Sequence, residues 1–90
     1  EIFDPIIENE KFKLERIISQ GQCTPEGEWL EQKNNEWVVL LTGKVKLKFE
    51  DDKDSYLMES GDYIYIPSGK RHRVEWTVPN TRTVWLALHF

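Results

Sequence analysis

Ninety residues at 39% hydrophobic content make one domain, large enough to bury about 60 to 65% of its unfolded surface in one core and too small for two. Twelve Lys and Arg against sixteen Asp and Glu leave a net charge of −4, which argues against nucleic acid as a partner because phosphate recognition asks for a basic face. No run reaches the roughly 18 consecutive apolar residues of a membrane span, and Cys23 stands alone, so the expectation is a soluble, cytoplasmic protein with neither membrane association nor an intramolecular disulfide.

Residues 1–11 combine an Asp-Pro step, paired isoleucines and charges without sustained periodicity, and read as an N-terminal arm, extended or paired as a short edge strand. A single domain over 12–90 follows. Phe12 to Ile18 begins in strict alternation and slips by one at Ile17, the pattern of a strand that carries a bulge or is covered on both faces near its end. Gly21, Pro25 and Gly27 then mark a loop that holds Cys23. Glu36 to Leu41 is a continuous β-rich run stopped by Thr42-Gly43, and Lys44 to Glu50 alternates with Val45, Leu47 and Phe49 on one face. A charged reversal at 50–54 precedes a short strand over 55–58, and Ser60-Gly61-Asp62 turns the chain again. Tyr63 to Ile66 is a strand, Pro67-Ser68-Gly69 a turn with proline at its second position and glycine at its fourth, and His72 to Trp76 the returning strand. A further proline turn at 78–81 leads into Thr83 to Phe90, with Val84, Leu86, Leu88 and Phe90 on one face and Trp85, Ala87 and His89 on the other.

Seven or eight short strands with almost no helical periodicity are the signature of an all-β sandwich or barrel. In the returning strand His72, Val74 and Trp76 share one parity, so the imidazole faces inward if the two apolar residues do.

Gly61, five residues, Pro67, one residue, Gly69, two residues and His72 together resemble the second sequence motif of the cupin superfamily. Glu36, separated from Gly43 by six intervening residues, resembles the end of the first motif, and the 17 residues between the two motifs, Lys44 to Ser60, resemble the short spacing of small microbial cupins. The resemblance implies an all-β fold, the conserved cupin β-barrel, a jelly-roll-like double-stranded β-helix, and a homodimer. It carries over only Glu36 and His72 from the family's metal ligands. Counting back from Glu36, the first motif's two histidine positions fall on Gln32 and Leu30 or on Glu31 and Trp29, and Trp76 replaces the second motif's final asparagine.

A metal site wants at least three well-placed protein ligands, and His with carboxylate suits Fe, Mn, Ni or Zn. His72, Glu36 and Gln32 are the metal candidates here. With an amide as the third donor, a divalent metal is the lesser expectation and a satisfied buried pair the bland alternative. Without metal, His72 as general base with Glu36 holding its tautomer would make an acid–base catalyst, although no nucleophile accompanies them. Trp76 either floors a pocket or plugs the barrel, and plugging is the commoner use of such a residue. Lys70, Arg71 and Arg73 offer an anion site at the mouth or, more ordinarily, a solvated face that balances the acidic 51–54 loop. His89 reads as a surface or interface residue. The reading that results is a small cupin that binds a small organic molecule near Gln32, Glu36, His72 and Trp76, with a metal-dependent oxygenase or isomerase, or a metal-free acid–base enzyme, as the alternative.

Overall fold

In the computed structural model, which describes residues 1–90, every element is a strand: β1 (Ile2–Glu8), β2 (Lys13–Ser19), β3 (Glu36–Thr42), β4 (Val45–Phe49), β5 (Tyr56–Met58), β6 (Tyr63–Ile66), β7 (His72–Thr77) and β8 (Thr83–His89). They form a five-stranded sheet in the order β1-β2-β8-β3-β6 and a three-stranded sheet in the order β5-β4-β7, with antiparallel pairing throughout. The chain crosses from one sheet to the other several times, as a double-stranded β-helix requires.

The inner faces follow from alternation. Glu36, Val38 and Leu40 on β3, and Val45, Leu47 and Phe49 on β4, are all buried, and the residues between them face outward. With Met58, Ile66, Trp85 and Ala87, the apolar members of these two sets make one core between the sheets. The tight β3–β4 connection depends on Gly43. Its φ is +98°, and a Cβ there would lie 2.5 Å from Thr83 Oγ1 and 3.0 Å from Thr83 Cα. Only glycine meets both the conformation and the approach of β8.

Residues 1–11 supply β1, a seven-residue edge strand paired along β2, with its own register shift between Pro5 and Ile7. β2 pairs without interruption along β8, so the slip at Ile17 reflects burial on both faces at Ile18 and Ser19. The 67–70 turn closes through Lys70 N–H donating to Pro67 O at 3.1 Å, which places Gly69 third in the turn at φ +76°, as a type II turn asks. The proline is therefore first in this turn and not second.

Two expectations about facing are corrected. On β7, Trp76 pairs with Lys46 while Val74 pairs with Leu47, so Glu75 is an extra residue opposite no partner. This β-bulge reverses the parity beyond it: His72 is 4% exposed, Trp76 is 36% exposed, and Thr77 takes the inward place at 3%. Trp76 neither floors a pocket nor plugs the barrel; Lys46 Nζ sits 5.7 Å from its ring centroid on the outer surface. On β8 the inward face is Trp85, Ala87 and His89, because Trp85 pairs with Leu40, Ala87 with Val38 and His89 with Glu36, and directly opposed residues share a face. His89 is a barrel residue, not a surface one.

Candidate functional site

The ends of three strands meet at one mouth of the barrel. Glu36 opens β3, His72 opens β7 and His89 closes β8, and the antiparallel pairing of β3 with β8 sets Glu36 beside His89. The loop between β2 and β3 covers the free edge of β7. Leu30 and His72 exchange backbone hydrogen bonds of 2.7 and 3.0 Å, Thr24 N–H donates to Val74 O, and Thr24 Oγ1 accepts from Val74 N–H. This edge pairing is what brings Gln32 over the mouth.

Glu36 lies at the centre of the polar groups. The Gln32 amide donates to its Oε1 at 2.6 Å. His72 Nε2 stands 3.9 Å from Oε1 and His89 Nε2 3.8 Å from Oε2. Both distances are too long for a hydrogen bond. His89 Nε2 meets Glu15 Oε1 at 2.9 Å, and Glu15, carried inward by β2, is 6% exposed. His72 Nδ1 lies 3.0 Å from the carbonyl of Lys70. A carbonyl only accepts, so Nδ1 carries a proton and Nε2 is the nitrogen turned toward Glu36. Burial raises the Glu36 carboxyl above its ordinary 4.5; His89, His72 and the Gln32 hydrogen bond draw it down in part, and Glu15 pushes it up further. Desolvation is the largest of these influences, so Glu36 holds its proton more tightly than a carboxyl in water does.

These groups face a cavity of about 450 Å³. Its apolar walls include Trp29, Val38, Leu47, Ile66 and Trp85, and its polar lining includes Glu15, Gln32, Glu36, His72 and His89. Gln32, Glu36 and His72 are thus brought together as the sequence suggests, and Trp76 is absent from the lining. Glu15 and His89 were missed. Glu15 sits in the alternating Leu14-Glu15-Arg16 stretch, and only the pairing of β2 and β8 shows that it points inward beside His89.

The cationic cluster beside His72 is outside the cavity. Arg71 pairs with Glu50 at 2.7 Å and Lys70 with Asp51 at 3.6 Å, while Arg73 donates to Thr24 O and lies over the Trp29 ring. Their charges serve the rim, and no anion site forms at the mouth.

The donor set does not fit the family's metal. If the first-motif histidine positions fall on Leu30 and Gln32, Leu30 joins β7 through its backbone and Gln32 presents its amide N–H to Glu36; if they fall on Trp29 and Glu31, Trp29 offers only an indole and Glu31 pairs with Arg71 at 3.8 Å. His89 closes on Glu15. No group of three or more His, Cys, Asp or Glu side chains is arranged to hold a metal ion.

A family model described as the cupin domain matches residues 17–89. Among solved structures, a candidate mannose-6-phosphate isomerase of Ralstonia eutropha JMP134 is similar at 42% identity and a TM-score of 0.95, over 98% of this chain and 82% of that one. A cupin superfamily protein of Desulfitobacterium hafniense DCB-2 superposes at 13% identity and a TM-score of 0.79, over 99% of this chain and 75% of that one. An RmlC-like cupin family protein of Methanocaldococcus jannaschii, with a double-stranded β-helix fold, does so at 12% identity and a TM-score of 0.80, over 98% and 77%. The last two likenesses speak to fold alone. No curated protein matches the chain. With both sequence motifs, the barrel and the family match in agreement, the chain belongs to the cupin family.

Proposed function

We propose that the barrel binds a small organic molecule, held over Glu36 between His72 and His89. The observation that carries this is the cavity of about 450 Å³ opening onto a buried carboxyl flanked by two imidazoles that it does not hydrogen-bond. Small-molecule sites have this size, with mostly apolar walls and a few convergent polar groups. With His89 Nε2 held by Glu15 and Glu36 Oε1 by the Gln32 amide, the gaps of 3.9 and 3.8 Å leave His72 Nε2 and Glu36 Oε2 able to tighten onto hydroxyl or amine groups of a ligand. Amide and indole chemical shifts during titration with small sugars, amines and aromatic acids test the reading: shifts confined to the cavity support it, and shifts scattered over the outer surface count against it.

A second reading is metal-free proton transfer. It is favoured by the orientation of His72, whose Nδ1 proton is fixed on Lys70 O so that Nε2 faces Glu36. Interconversion of an aldose and a ketose moves a proton between adjacent carbons and needs one group to remove it and another to polarise the carbonyl. The similar Ralstonia protein, a candidate mannose-6-phosphate isomerase, is in keeping with such chemistry. Under this reading His72→Ala and Glu36→Ala abolish turnover of a responsive sugar while leaving the fold intact. Turnover that survives both substitutions overturns it.

The chain also forms a homodimer in this proposal, supported by the exposed Leu41, Tyr63 and Tyr65 on the outer face of β3 and β6. Light scattering at micromolar concentration distinguishes dimer from monomer.

A further inference from the structure

The neighbours of each polar atom around Glu36 decide which of them carries a proton. His72 Nδ1 donates to Lys70 O at 3.0 Å, so His72 Nε2 keeps a lone pair. His89 Nε2 is 2.9 Å from Glu15 Oε1, and Lys13 Nζ is 3.5 Å from Glu15 Oε2, so Glu15 accepts from both as a carboxylate and His89 Nε2 is a donor already committed. The Gln32 amide donates to Glu36 Oε1 at 2.6 Å. In the acid form of Glu36 the accepting oxygen is the carbonyl one, which leaves the hydroxyl at Oε2.

The two long contacts agree with these assignments. His72 Nε2 and Glu36 Oε1 are both acceptors and stand 3.9 Å apart, whereas a proton on Oε1 would draw the pair inside about 3.2 Å. Glu36 Oε2 and His89 Nε2 are both donors and stand 3.8 Å apart. Gln32 is placed for this task by its backbone: its carbonyl accepts from Gly69 N–H at 2.8 Å, so the turn between β6 and β7 holds the residue independently of its side chain.

We propose that Gln32 is a positioning residue that fixes the Glu36 proton on Oε2, so that the site offers a proton acceptor at His72 Nε2 and a proton donor at Glu36 Oε2 to a 2-hydroxycarbonyl compound. This rests on the proton-transfer reading above and gives its residues separate roles. His72 Nε2 takes the proton from the hydroxyl-bearing carbon, the C–H electron pair becomes the C=C bond of an enediol, and the carbonyl oxygen takes the Glu36 proton. In the second half the imidazole returns its proton to the former carbonyl carbon, and the Glu36 carboxylate recovers one from the other hydroxyl as the new carbonyl forms. The sum is an isomerisation that consumes no co-reactant.

Solvent exchange and ring spectra test the assignment together. In deuterium oxide the native protein exchanges the hydrogen on the hydroxyl-bearing carbon beside the carbonyl in at least one of dihydroxyacetone, mannose and fructose, as followed by ¹H spectra. Glu36→Gln keeps an oxygen for Gln32 and an N–H donor in the place of Oε2 but has no proton to release, so kcat falls about a hundredfold or more while KM stays within about threefold. Gln32→Leu lowers kcat about tenfold or more through lost orientation. It also moves the alkaline limb of the pH profile upward: burial, the largest influence on Glu36, raises its carboxyl, and the hydrogen bond that draws it down is gone, while His89, His72 and Glu15, the titratable groups facing it from β8, β7 and β2, remain. Long-range ¹H–¹⁵N spectra of the free protein show the ring proton of His72 on Nδ1 and that of His89 on Nε2. Exchange that survives Glu36→Gln, an alkaline limb unmoved in Gln32→Leu, or ring protons on the opposite nitrogens overturns this division of roles and leaves proton transfer standing. Three compounds that show no exchange overturn both.

Discussion

Glu36→Gln gives the site a thermodynamic signature that needs no ligand. Burial holds the Glu36 carboxyl above 4.5, so over the interval from 4.5 up to its folded value the native protein keeps a proton that the unfolded chain has released. The stability gradient with pH is proportional to protons bound in the unfolded state minus those bound in the native state, which for this group is negative there. Its stabilising contribution is therefore complete below 4.5 and is lost as pH rises through the folded value. Glutamine keeps the oxygen that accepts from Gln32 and cannot titrate. The stability of the native sequence minus that of Glu36→Gln should fall as pH rises, with a slope that approaches about 1.4 kcal/mol per pH unit for one full proton. In a chain of this size that corresponds to roughly 5 to 10 °C of relative Tm per unit at the steepest point. Urea denaturation of both proteins in half-unit steps from pH 4 to 8 reads the difference directly. A difference that rises with pH would show that the imidazoles outweigh desolvation. A flat one would show that Glu36 is solvated.

Four further outcomes follow from the geometry. Leu40→Ala, at a fully buried position, should cost about 2 to 5 kcal/mol in denaturant unfolding, because the sheets on either side cannot close around the lost volume. Gly43→Ala should cost at least about 1 to 3 kcal/mol from its positive φ, plus the displacement of Thr83, and thermal unfolding measures the sum. His89→Ala takes from Glu15, at 6% exposure, its 2.9 Å partner and leaves it only Lys13 Nζ at 3.5 Å, so a loss of about 1 to 3 kcal/mol is expected, where a surface histidine would leave stability within about 0.5. Trp76→Ala should leave ligand titrations unchanged, and the emission of Trp76 should be quenched readily by iodide, because the ring faces solvent.

What the sequence showed of this protein was the part that alternation and turn chemistry control locally. Val45, Leu47 and Phe49 announce their inner face without help from any other strand, whereas the continuous run Glu36 to Leu41 is apolar on both sides and does not choose one by alternation. The two family motifs add the order of the strands around them. What stayed hidden was decided by partners far along the chain. Nothing in His72-Arg73-Val74-Glu75-Trp76 marks Glu75 as a bulge, since the extra residue exists only relative to β4. β8 has apolar residues on both faces, Val84, Leu86 and Leu88 against Trp85 and Ala87. Only its register with Val38 and Leu40 selects the side that carries His89 inward. Both misreadings concern which way a side chain points, and in both the deciding contact is nonlocal.

The bulge and the cavity are linked. With unbroken alternation along β7, Trp76 would turn toward the space between the sheets, beside the fully buried Val45 and Met58, and an indole there would compete for the volume that Leu40, Ile66 and Trp85 already fill. By taking up one residue at Glu75, the strand keeps His72 inward at the mouth and exchanges Trp76 for the smaller Thr77 at the packed end, where the Thr77 hydroxyl donates to Gln22 O at 2.7 Å. The barrel thus has an apolar end closed by side chains and a polar end where β3 and β7 begin and β8 finishes. Strand termini are where titratable groups cost least to bury, because the backbone pairing that holds them extends in one direction only and leaves the other open to solvent or ligand. Glu36, His72 and His89 all occupy such positions, and Glu15 reaches the same end from β2. That common placement, more than any one residue type, turns an incomplete motif into a single connected site.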